Sequence, residues 1–245
     1  MSHVLERELE RLKKMILALC AVVEENVSRA VRSVEKRDAQ LAQRIIDSDK
    51  EIDATEVDIE EECLKVLALH QPVASDLRFI VAVLKINGDL ERIGDLAVNI
   101  AERAVFLSSR EPMSVPIDLG LMSGKVQSML RKSLDALVSM DARLAHEVGA
   151  QDDEVDDLNR RNFTRIQEEI RRNLPQIESL IQYLSVSRYL ERIADHASNV
   201  AEDVIYLIEG TIIRHKGGAP PTRFSALGDP GGYQPPSSGT SVSKQ

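Results

Sequence analysis

The chain has no tryptophan, only four phenylalanines and four tyrosines, and two cysteines in 245 residues. Aromatics make up 3% of it against 43% apolar residues in total, so a core must come from Leu, Ile, Val and Ala. That palette suits helix interfaces better than a sandwich or barrel. Cys20 and Cys63 belong to no CxxC or Cys/His cluster, which argues against a structural zinc site or a disulfide framework. Both read as core residues of a cytoplasmic protein. No apolar run is longer than Met15 to Val23, well short of the roughly 20 residues that span a bilayer. Glu6, Glu8 and Glu10 precede that run, so it does not read as a signal peptide, and any membrane role is expected to be peripheral. Positive charge is also in short supply: 31 basic residues face 40 acidic ones, a formal net charge of -9. This speaks against a sequence-independent hold on nucleic acid and for cations or basic protein surfaces as partners. A Gly-rich phosphate loop, a nucleophile elbow and a kinase signature are all missing, and the expectation is a protein that is not an enzyme.

Proline is scarce outside the end of the chain. Five of nine prolines lie after residue 215, together with six of the twelve glycines. The stretch 213–245 is therefore expected to be a disordered Pro/Gly/Ser tail. The remaining four, Pro72, Pro112, Pro116 and Pro175, separate stretches with apolar residues at three- and four-residue spacing, such as Leu5, Leu9, Leu12, Ile16 and Leu19. The pattern predicts helices over about 4–35, 38–69, 75–107, 118–139, 141–173 and 176–209, with Asp38 as an N-cap and a bend near Asp47 and Ser48.

An internal repeat organises these helices. LERIGDLAVNIAERAVFL from Leu90 matches LERIADHASNVAEDVIYL from Leu190, and DAQLAQRIIDSDKEID from Asp38 matches DARLAHEVGAQDDEVD from Asp141. The blocks keep their order, so the chain reads as all-α: two tandem, pseudo-symmetric three-helix bundles over 1–110 and 118–212, joined by a linker at 111–117.

Each repeat carries the same acidic spacing. Glu91 and Asp95, Glu191 and Asp195, Asp49 and Asp53, and Asp152 and Asp156 are all carboxylates four residues apart. At about 100° per residue such pairs share one helix face and repel one another without a cation or partner. Glu102 and Glu202 return to that face, and Asn99 and Asn199 flank it. On the third stretch Ile86, Leu90, Ile93, Ala97, Ile100 and Ala104 centre on the opposite side, so the acidic stripe lies away from the core. No histidine has a Glu three residues before it, which sets aside a buried di-iron oxidase. An all-oxygen surface site would take iron, manganese, magnesium, calcium or zinc. A plain solvated acidic face, with Arg92 and Arg192 as counter-charges, is the alternative; four pairs in a duplicated frame favour cation or partner binding. His196 is next to Asp195 in sequence but points about 100° away and has no counterpart at Leu96, so it is expected at the surface.

At HQPVASDLRFIVAVLKINGDLERIGDLAVNIAERA from His70, its echo YLERIADHASNVAED from Tyr189, and the acidic blocks near Asp49 and Asp152, the chain resembles the PhoU family of bacterial phosphate-transport accessory and signalling proteins. The resemblance covers roughly residues 4 to 210. It implies a cytoplasmic protein of two three-helix bundles, often a homodimer, that restrains the phosphate-starvation response between the ATPase subunit of a phosphate ABC transporter and a sensor histidine kinase. It also implies metal binding at the ExxxD motifs, here Glu91, Asp95, Glu191 and Asp195 with Asp49, Asp53, Asp152 and Asp156, and with Asn99, Glu102, Asn199 and Glu202 as lesser candidates. The second half offers LPQIESLIQ in place of QPVASDLR, so any role of Asp76 and Arg78 belongs to the first half alone. A metal-buffering bundle or a purely structural scaffold is the other class this sequence admits.

Overall fold

Proline and cap placement set the helix ends. In the computed structural model, which describes residues 3–210, there are six helices in order: α1 His3–Lys36, α2 Ala39–His70, α3 Ala74–Ser108, α4 Leu119–Ser139, α5 Ala142–Arg172 and α6 Ile177–Glu209. A 3-10 turn, Leu174–Gln176, leads into α6 around Pro175. Among the described residues there is no strand. The expected tail, 213–245, lies outside them.

Three helices start on an aspartate. The Asp38 carboxylate accepts from the Leu41 N–H at 2.9 Å, Asp118 from Leu121 at 2.8 Å and Asp141 from Arg143 at 2.9 Å. Each cap satisfies an amide that has no intrahelical partner and contributes about 1 kcal/mol. Asp38 and Asp141 hold the same place in the two repeats. At the other ends the chain turns through the left-handed region, at Gln71 (φ 45°) before Pro72, at Met140 (φ 54°) and at Gly210 (φ 71°). Gly210 is the one of these three whose missing Cβ makes that conformation free of strain.

α2 runs unbroken through Asp47 and Ser48, the place of the expected bend. The Ser48 hydroxyl donates to the Ile45 carbonyl at 2.9 Å and receives the Asn26 amide at 3.4 Å, so its polarity is absorbed without opening the helix.

The apolar stripes meet as the periodicity requires. Leu12, Ile16 and Val23 of α1, Ile45, Ile52 and Ile59 of α2, and Ile80, Ile86, Leu90, Ile93 and Ile100 of α3 are fully buried. Each such side chain contributes roughly 1.5–3 kcal/mol. α1, α2 and α3 pack on one another, as do α4, α5 and α6, and the two sets join chiefly along α3 and α6.

That seam is antiparallel. Lys85 pairs with Asp203 at 3.3 Å, Asp89 with Asn199 at 3.2 Å, Arg103 with Gln182 at 3.1 Å and Arg110 with Glu178 at 2.6 Å, so numbers rise along one helix as they fall along the other. Lys85 also sits over the Tyr206 ring, 5.1 Å from its centroid. His196 is not the surface residue expected from its spacing. Its Nδ1 lies 2.8 Å from Asp89 Oδ1, and its side chain is 19% exposed within the seam.

Candidate metal centre and its pseudo-equivalent

The acidic clusters lie where the second helix of each repeat crosses the third. In the first repeat the crossing is close because Gly94 has no side chain: a Cβ there would stand 3.3 Å from Ile52 Cδ1. Ile52 is the buried residue between Asp49 and Asp53, and Gly94 directly precedes Asp95. Tight packing at Ile52 thus carries the α2 carboxylates onto α3. One carboxylate oxygen from each of Asp49, Asp53 and Asp95 comes within 4.8 Å of the others.

The electrostatics are those of crowded like charges. Burial first, then Asp53 and Asp95, raise the Asp49 carboxyl above its ordinary range. Glu91 is raised by burial and by Asp95, against the pull of Arg92, which lies 3.4 Å from Glu91 and 3.7 Å from Asp95. Asp49 Oδ1 is buried and accepts no hydrogen bond. Such an orphan acceptor costs free energy unless a donor or cation meets it.

These residues fit a hard cation. Oxygen ligands lie about 2.0–2.6 Å from magnesium or calcium, so two on opposite sides of one ion are roughly 4–5 Å apart. The spread of the three carboxylates matches that span.

The second repeat differs in detail. Burial raises Asp152, Glu191 and Asp195, and the four acids Asp152, Asp156, Glu191 and Asp195 push on one another. Asp152, however, accepts from the Ser198 hydroxyl at 3.2 Å, and Arg160 reaches to within 4.0 Å of Asp156. Among the described residues, these acids do not close into a triad as tight as the first.

Of the remaining candidates, Glu102 is turned to Arg103 at 3.0 Å, Asn99 and Glu202 are half-buried, and the Asn199 amide is spent on Asp89 across the seam. Sequence reasoning missed Glu56. Its carboxyl is raised by burial, Glu60 and Asp53, and it adds to the charge on Glu91. The signal was its place three residues after Asp53, but the repeat holds Asn159 there and the pattern discarded it. Cys20 and Cys63 are buried core residues whose thiols burial pushes up to about 12.

Fold and site together define a duplicated all-helical bundle with an oxygen-donor cluster at each crossing of second and third helices. Comparison with known proteins places this class. A PhoU domain model matches twice, at residues 16–104 and 119–204. The chain is 39% identical to the phosphate-specific transport system accessory protein PhoU homolog of Aquifex aeolicus, covering 86% of this chain and 95% of that one. It is 33% identical to PhoU of Escherichia coli, covering 86% and 88%. The crystal structure of PhoU from Pseudomonas aeruginosa superposes with a TM-score of 0.81 at 37% identity, covering 84% of this chain and 99% of that one. That of the phosphate transport system regulatory protein PhoU from Streptococcus pneumoniae gives 0.75 at 30%, covering 85% and 99%. The chain belongs to the PhoU family.

Proposed function

We propose that the protein is a non-catalytic regulator of phosphate uptake that restrains the phosphate-starvation response when phosphate is plentiful. The observation that carries this reading is the match of both repeats to the PhoU domain, with relatives named as phosphate transport accessory proteins over nearly their whole length. In this reading the protein works in the cytoplasm as a homodimer and couples the ATPase subunit of a phosphate ABC transporter to a sensor histidine kinase. No helix among the described residues is long and apolar enough to cross a membrane, and membrane association would be peripheral, through its partners or through anionic headgroups.

The chain's own residues supply the docking chemistry. Asp49, Asp53 and Asp95, with Glu91 and Glu56 beside them, would hold iron, manganese, magnesium or zinc. A bound cation supplies counter-charge that makes this face compatible with a second acidic or anionic surface. The orphan oxygen of Asp49 supports the cation.

The test is deletion in the native host with a reporter of phosphate-starvation genes. Derepression in excess phosphate, reversed by the wild-type chain, is the expected result; unchanged expression refutes the reading. A metal-buffering protein would instead leave the reporter flat while changing cellular metal content.

A further inference from the structure

The two ends of the α3–α6 seam are finished differently. At one end Arg37, the residue before the Asp38 cap, donates through its guanidinium to the carbonyls of Leu107 and Arg110, where α3 stops. Arg110 in turn pairs with Glu178 at 2.6 Å and lies over the Phe106 ring, 4.8 Å from its centroid. Two arginines thus close that end and meet the negative pole of the helix.

At the other end, Met140, Leu207, Gly210 and Arg78 hold the repeat positions of Arg37, Leu107, Arg110 and Glu178. The backbones agree, with φ 54° at Met140 and 53° at Arg37. The side chains do not. Arg78 lies over Gly210, where a Cβ would stand 3.6 Å from its guanidinium, and its Nε is buried without a hydrogen-bond partner. Met140 is 45% exposed and has no donor to offer. Among the described residues no side chain bonds the Leu207 carbonyl as Arg37 bonds that of Leu107. A cleft of about 470 Å³ opens here, with Phe79, Leu137, Met140 and Leu207 in its apolar lining. Three carboxylates, Glu6, Glu10 and Asp76, share it with one lysine, Lys13. Glu6 lies 3.9 Å from His3, while Glu10, Asp76 and Lys13 form no ion pair among the described residues. The stretch of α1 that carries the two glutamates has no counterpart in α4, which is 21 residues long against 34.

We propose that this cleft grips an arginine-bearing apolar segment of a partner protein, the guanidinium standing at the end of α6 as Arg37 stands at the end of α3. The acceptors it needs are present: Glu10 and Asp76 are carboxylates, and the last carbonyls of α6 carry the negative pole of the helix. Arginine suits the place better than lysine, because its fork of donors reaches a carboxylate and a carbonyl together. Apolar residues one turn away on the partner's segment cover Phe79, Leu137 and Leu207. Lys13 and Arg78 limit the charge the cleft accepts, so the segment joins its arginine to apolar residues rather than presenting a basic run. The walls come from α1 and α3 of one bundle and α4 and α6 of the other, so an occupant bridges the two. The inference rests on the regulatory reading only in supposing a protein partner.

Selection of a random-peptide phage library on the full chain, followed by fluorescence anisotropy of the selected sequences as labelled synthetic peptides, tests this. Peptides that place arginine within a turn of Leu or Phe are expected. Their binding should weaken about tenfold or more in Met140→Arg, which supplies the missing side chain from the chain itself, and in Glu10→Gln/Asp76→Asn, which removes the acceptors. It should stay within about twofold in Glu60→Gln/Glu61→Gln, which removes the same charge from the exposed face of α2. Lysine in place of the peptide's arginine should also weaken it. Failure to enrich any peptide, enrichment of peptides without arginine, undiminished binding to Met140→Arg, or equal loss in Glu60→Gln/Glu61→Gln overturns the proposal. Sedimentation of the same variants covers the other occupant: a self-association that Met140→Arg abolishes would assign the cleft to a second copy and overturn it too. Because binding is read on the purified chain, its failure leaves the regulatory reading standing, and a flat reporter on deletion refutes that reading without touching the binding.

Discussion

Replacing Asp49 by asparagine separates a structural carboxylate from a cation ligand, because the two roles predict opposite signs. Without metal, Asp49 stands within 4.8 Å of Asp53 and Asp95 and leaves one oxygen unbonded. At that distance each like-charge pair costs about 0.9 kcal/mol in water and about 3.5 kcal/mol at an effective dielectric of 20. Asp53 is exposed and Asp95 half-exposed, so the low end applies and side-chain rearrangement reduces it further. Asp49→Asn should therefore stabilise the metal-free protein by about 1 kcal/mol, a Tm rise of roughly 2–4 °C for a domain of this size. With cation at a hundredfold excess over its dissociation constant, the wild type gains about 2.7 kcal/mol and the order reverses. The pH dependence has a definite sign. The Asp49 pKa is raised in the folded state, so the folded protein binds more protons than the unfolded chain between the ordinary and the raised value. Stability from this group therefore falls as pH rises through that window. The advantage of the variant in chelator should shrink as pH falls into the carboxylate range, where Asp49 is protonated. Thermal unfolding in chelator and in manganese, at neutral and mildly acidic pH, reads all of this. A variant less stable than wild type in chelator at neutral pH would show that Asp49 serves the fold and would refute the ligand argument.

Two further predictions concern the packing that builds the site. Ile52→Val removes the Cδ1 that lies against Gly94 and should cost about 1 kcal/mol alone; beside Gly94→Ala it should cost clearly less, a coupling read from urea unfolding of the double-mutant cycle. Cys20 and Cys63, with thiols pushed up to about 12 by burial, should resist iodoacetamide at pH 8 in the folded chain and react fully once it is unfolded; rapid labelling of the native protein would contradict the packing described for α1 and α2.

The helices were legible because their ends depend on local chemistry. Pro72 and Pro175 forbid continuation, and Asp38 and Asp141 cap the helices that begin beside them, so each boundary needs only a few neighbouring residues. The acidic pairs were legible for the same reason, since spacing of four places them on one face. The hidden features depend on which helices meet. Asp89 corresponds to Tyr189 in the repeat and His196 to Leu96, so duplication gave no hint that they pair across the α3–α6 seam. Ser48, polar within a helix, bonds back to Ile45. Glu56 was invisible because repeat logic retains only shared residues.

The repeat is informative in its differences as much as in its matches. Ile52 and Gly94 in the first half correspond to Val155 and Ala194 in the second, all buried. A carbon lost from one partner is regained on the other, which is how a close-packed crossing tolerates change. Geometry at the crossing is thereby kept between the halves while charge around it is not. Glu56, Val57 and Gly88 give way to Asn159, Arg160 and Arg188, each a step from acceptor or neutral toward donor. Here they lie beside one pair of carboxylates, Glu191 and Asp195, so the two crossings keep one packing and differ in the set of charges around it.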